Sequence, residues 1–180
     1  DIPILRAIDN NTGFYMAASG YYDGWKGASV VQSADNAAWN QIKSFLVSSV
    51  IGVANTVLAS GLTSIPDQAS SVNIRVIKGE LASITDTQLL AGLNYAVLGN
   101  EILQFRDAVL QSDGTYTLSY FLRGRFGTEW AIGTHALYEE FTLLSEASVQ
   151  RVLVDENTIG AKRYYKAVTL GATVDASITK

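Results

Sequence analysis

Alternation of apolar and polar positions dominates this chain, and helical spacing is rare. Thr115-Tyr116-Thr117-Leu118-Ser119-Tyr120-Phe121-Leu122 alternates along most of its length, as does Val72-Asn73-Ile74-Arg75-Val76. Period-two patterning turns one set of side chains toward a buried face, so both stretches read as strands. Further strands are predicted at 14–18, 28–32, 39–47, 95–98, 101–105, 141–144, 149–154 and 164–170. Ser33-Ala34-Asp35-Asn36 turns the chain between two of them, and Gly99-Asn100 supplies a two-residue hairpin connection between two others. The segment 53–58 is too short for periodicity to separate strand from helical turn.

One segment reads as helix. Thr85 is a predicted N-cap, Gln88 completes a capping box three residues on, and Gly92 marks the stop, so a short helix is expected near 85–92. Serines, a glycine and Pro66 make 60–71 the expected loop, joining lobes 1–60 and 72–180 of one module spanning 1–180. Roughly ten strands at 8–12-residue spacing predict a mainly β fold, a sandwich or barrel-like arrangement of antiparallel sheets.

Composition narrows the function classes. An apolar fraction of 48% is ample for a core, while only 17% of residues are charged, which suits an extracellular or assembly-embedded β protein. A net charge of −4 with scattered basic residues argues against nucleic acid. The absence of cysteine removes disulfides, thiolate chemistry and cysteine-based zinc sites. No stretch is long and apolar enough for a membrane span. The opening Asp-Ile-Pro-Ile-Leu has no initiating Met and no basic segment, so an excised fragment without a signal peptide is expected.

The densest constellation is Leu122-Arg123-Gly124-Arg125-Phe126-Gly127-Thr128-Glu129-Trp130. Gly124 and Gly127 point to a specified turn, and arginine beside carboxylate points to a local ion-pair clamp joining Arg123 or Arg125 to Glu129. Two arginines at a glycine turn also suit an anionic group such as a lipopolysaccharide phosphate, but with few basic neighbours the structural turn is favoured. His135 is the only histidine, and no metal-ligand spacing surrounds it, so it reads as a satisfied structural residue. Glu139 and Glu140 alternate faces if they lie in a strand, which makes them solvated edge charges. Asp107, Asp113 and Asp155 sit singly in turns, without a calcium loop. No catalytic residue, metal site or cofactor is expected.

Tyr21, Tyr22, Asp23 and Trp25 form the best ligand candidate, because aromatic faces stack on sugar rings and a carboxylate accepts hydroxyl hydrogen bonds. Core and interface packing of the same aromatics is the plainer reading.

Ordered segments carry a family resemblance. Asp1-Ile2-Pro3-Ile4-Leu5-Arg6, Gly13-Phe14-Tyr15, Gly24-Trp25-Lys26-Gly27-Ala28 and Gly79-Glu80-Leu81 resemble the tail-tip hub proteins of tailed bacteriophages and gene transfer agents. So do Gly99-Asn100-Glu101-Ile102-Leu103-Gln104-Phe105, Leu122-Arg123-Gly124-Arg125-Phe126-Gly127-Thr128-Glu129 and Arg163-Tyr164-Tyr165-Lys166-Ala167-Val168-Thr169-Leu170-Gly171. The resemblance implies a C-terminal-half domain of a large virion protein that caps the tail tube as a trimer beside other tail-tip subunits. It implies a structural role in the virion with host-surface contact, no catalytic residues and no turnover. The alternative expectation is a carbohydrate-binding module reading host surface glycans through the Tyr21–Trp25 loop.

Overall fold

A computed structural model describes residues 11–21 and 24–171. In chain order the elements are β1 (Gly13–Ala17), β2 (Ala28–Ser33), β3 (Asn40–Phe45), β4 (Ile51–Ala54), β5 (Asp67–Lys78) and α1 (Asp86–Leu90). They continue with β6 (Tyr95–Leu98), β7 (Glu101–Leu110), β8 (Tyr116–Leu122), β9 (Glu140–Leu143), β10 (Val149–Leu153) and β11 (Tyr164–Thr169). The fold is mainly β, its strand pairs are antiparallel, and α1 is its one α-helix among the described residues.

The chain forms two compact units. Residues 49–145 close into a six-stranded barrel in the order β4-β5-β8-β7-β6-β9. Closure leaves no strand edge unpaired, which removes the usual template for edge-to-edge association. The other unit, from the segments before 49 and after 145, contains the pair β1-β10 and the three-stranded sheet β11-β2-β3.

These units do not divide at 60–71, which lies inside the barrel unit. Asp67-Gln68-Ala69-Ser70-Ser71 is loop-like in composition, yet it opens β5. Asp67 Oδ1 accepts the N–H groups of Ala69 and Ser70, and pairing with β8 shifts register between Asp67 and Ser71. Pairing partners thus overrode local composition.

Inside the barrel, Phe105, Phe121 and Phe141 are fully buried with Ile74, Leu98, Leu103 and Leu118. Phe105 and Phe141 meet tilted, with centroids 6.4 Å apart. Burying each such side chain stabilises by roughly 1.5–3 kcal/mol.

The alternation of β8 breaks at Tyr120, which has φ +57°. Tyr116 and Leu118 are buried before the break, and Phe121 and Arg123 after it. The one-residue slip sends Arg123 inward. Tyr120 stays half-buried on the other face under the Arg106 guanidinium, 3.7 Å from its ring centre.

The capping box at α1 forms as its residue types require. Thr85 Oγ1 accepts from Gln88 N, and Gln88 Oε1 accepts from Thr85 N. The helix buries only Leu89 and ends before Gly92, at φ +92°.

Candidate functional site

Arg123, delivered inward by the β8 slip, is the centre of a buried polar network. Its side chain is 0% exposed. Nε and Nη2 donate to Oε1 and Oε2 of Glu101, each at 2.8 Å, the two-bond fork that planar guanidinium and carboxylate favour. Nη1 donates to Asp67 Oδ2 and to the Ala59 carbonyl, each at 3.0 Å.

Glu101, the first residue of β7, is also fully buried. Oε1 takes a second hydrogen bond from the Gly124 N–H at 2.8 Å, and Oε2 a second from His135 Nε2 at 2.7 Å. His135 Nδ1 lies 2.5 Å from Glu139 Oε1. Both ring nitrogens therefore face carboxylate oxygens, and only an imidazolium can donate to both.

The titration of these groups follows from their partners. Burial works against a charged Glu101, but hydrogen bonds from His135, Arg123 and the Gly124 N–H outweigh it and hold its carboxyl at about 2. Burial also opposes charge on His135, yet the hydrogen bond to Glu101 and the charge of Glu139 raise its pKa above the ordinary value. Glu101 stays ionised with four hydrogen bonds, leaving it no free lone pair for a substrate.

Glycines make room for this packing. A Cβ at Gly61 would sit 2.4 Å from Asp67 Oδ2 and 2.9 Å from Arg123 Nη1, and one at Gly99 would sit 2.3 Å from Glu139 Oε2. Gly124 combines φ +58° with a Cβ position 2.9 Å from the Glu129 Cα.

A second set of bonds joins the same strands. Thr128 Oγ1 accepts from Ile102 N, linking the turn after β8 to β7. Buried Gln104 donates through Nε2 to the carbonyls of Leu89 and Leu93, satisfying the end of α1.

The expected turn residues part company here. Arg123 pairs with Glu101 and Asp67, whereas Glu129 is exposed and makes no ion pair among the described residues. The clamp is therefore long-range, because the inward turn of Arg123 carries it away from Glu129. Arg125 points outward, with Nη2 3.5 Å from the Tyr95 hydroxyl, so the two arginines do not converge on one anion. Gly127 has φ +82° in open space, as a specified turn requires. Glu139 is not an edge charge but a partner of His135, with 15% of its side chain exposed.

Of the aromatic candidates, Tyr21 is 76% exposed and Trp25 is half-buried against Gly20, while Tyr22 and Asp23 lie outside the described residues. No group of three His, Cys, Asp or Glu among the described residues is placed to hold a metal.

Glu101, Asp67 and Gln104 were not among the expected site residues. The available signal was a charge opening the otherwise apolar run Glu101-Ile102-Leu103 directly after a tight turn.

No curated protein matches the chain. The model of the family described as "Rcc01698-like, C-terminal" matches residues 49–142, nearly the whole span of the barrel unit. That match covers more than half of the sequence, and the chain belongs to the Rcc01698-like, C-terminal family.

Proposed function

We propose that this chain is a structural module of the distal end of a phage-like tail, where it packs with other tail-tip subunits as part of a trimeric parent protein beside the host surface. The observation that carries this reading is the joining of two segments that resemble tail-tip hub proteins. Glu101 from one and Arg123 with Gly124 from the other meet in the barrel's buried network. The shared residues thus hold strands together, as a load-transmitting module needs, and they are closed to solvent. Glu101 and Glu139 do not flank a sugar-sized gap, since an imidazole bridges them. Family membership of the barrel unit supports the same placement.

Gold-labelled antibody against the chain, applied to particles from the source cells, tests the proposal by electron microscopy. Label at the tail end distal to the head is expected. Particles that lack the chain, or label confined to head or shaft, would contradict it.

A further inference from the structure

The non-barrel unit holds a groove of about 600 Å³ between β1, β2, β11 and the turn after β10. Tyr165 of β11 lies opposite Gln32 of β2 in the antiparallel register, so their side chains leave the sheet on one face. Arg163, just before β11, lines the same groove. Phe14 of β1 packs against Tyr165 with ring centres 5.7 Å apart and planes at 77°, which gives the groove an aromatic corner. A 3-10 turn, Glu156–Thr158, brings Asp155 and Thr158 to its rim.

Unlike the barrel network, this groove has unused hydrogen-bonding capacity. Among the described residues, the Gln32 amide and the Tyr165 hydroxyl have no partner. Arg163 uses one guanidinium nitrogen, on the Lys162 carbonyl. Asp155 uses only Oδ1, which accepts from the Asn157 backbone and side chain. Burial raises the Tyr165 pKa against the opposing charge of Arg163, so its phenol remains a donor at neutral pH.

An aromatic corner ringed by a guanidinium, an amide, a phenol and a carboxylate matches a pyranose. The C–H face of the sugar packs on a ring, while hydroxyls accept from the cation and amide and donate to the carboxylate. Asp155 and Arg163 are the groove's charged lining residues and offset each other, so the lining carries no net charge to favour an ionised sugar. We propose that this groove binds a neutral pyranose unit of a carbohydrate, with Phe14 and Tyr165 as the wall and Gln32, Arg163 and Asp155 as hydroxyl partners. The site is independent of the tail reading, because its chemistry lies wholly in the non-barrel unit.

The test is a nitrogen-15 NMR titration of the chain with glucose, galactose, N-acetylglucosamine, cellobiose and lactose. Glucuronate and inorganic phosphate serve as anionic counterparts. At least one neutral sugar is expected to shift the Gln32 side-chain amide and the Gly160 and Tyr165 backbone signals saturably. Arg163→Gln should weaken that binding roughly tenfold and Tyr165→Phe or Gln32→Ala several-fold, each loss matching about one hydrogen bond, with the remaining spectrum intact. The proposal is overturned if no neutral sugar gives a saturable shift, or if the shifts survive all three substitutions unchanged. Tighter binding of glucuronate or phosphate than of every neutral sugar would make the groove an anion site and overturn it equally.

Discussion

Arg123 and Glu101 meet in a fork of two parallel 2.8 Å hydrogen bonds, with both side chains fully removed from solvent. The pair spans β8 and β7, and its second bonds reach Asp67, Gly124 and His135. A buried ion pair gains little over an apolar replacement of similar shape, but breaking one side of it is costly. A barrel with β7 and β8 out of register would leave both charges buried without partners, which penalises that mispairing.

His135 makes the barrel's stability depend on pH. Its folded pKa is raised above 6.5, so its contribution is complete below that value and disappears as pH rises through the folded pKa. Glu101 acts in the opposite direction. With its pKa lowered from 4.5 to about 2, its contribution is complete above 4.5 and lost as pH falls toward 2. Melting temperature measured against pH should show the alkaline decline in the parent chain, and His135→Gln should remove that portion. An identical decline in both proteins would show that the imidazolium contributes nothing.

The turn glycines separate two costs. Gly127→Ala meets only the left-handed backbone angle, about 1 kcal/mol, because nothing lies near its added Cβ. Gly124→Ala adds a clash with the Glu129 backbone and should destabilise by roughly 2–4 kcal/mol. Urea denaturation of the two variants gives the comparison, and equal losses would contradict the close packing at Gly124.

Gln104→Leu keeps the volume and removes the donor for the Leu89 and Leu93 carbonyls. The Leu89 carbonyl keeps the Gly92 N–H and the Leu93 carbonyl is only partly buried, so losing the two side-chain bonds should cost about 1–2 kcal/mol. Hydrogen exchange should quicken first at Ala91, Gly92 and Leu93, whose N–H groups close the end of α1. Unchanged exchange there would mean that the helix end is held by other contacts.

Local chemistry made much of this fold legible. The Thr85–Gln88 capping box and the Gly99-Asn100 connection are short-range devices, and both form as their residue types suggest. Alternation identified β8 but extended it through Tyr120, where a left-handed residue reverses which side chains face inward. No pattern of apolar residues signals that slip, since Tyr120, Phe121 and Leu122 are all large and apolar enough for either face. The partners of Arg123 were hidden for a related reason. Glu129 is near in sequence, whereas Glu101 and Asp67 arrive only through strand pairing. The loop-like composition of 67–71 concealed both the start of β5 and the carboxylate it carries.

The most direct measurement is a double-mutant cycle on Glu101→Leu and Arg123→Met, read by urea denaturation of the parent, both single variants and the double variant. Each single change leaves a buried charge without its main partner and should cost about 3–5 kcal/mol. The double variant should fall roughly 2–3 kcal/mol short of the summed losses, because both charges leave together. Losses that add without coupling would contradict the claim that this fork binds the two strands as one unit.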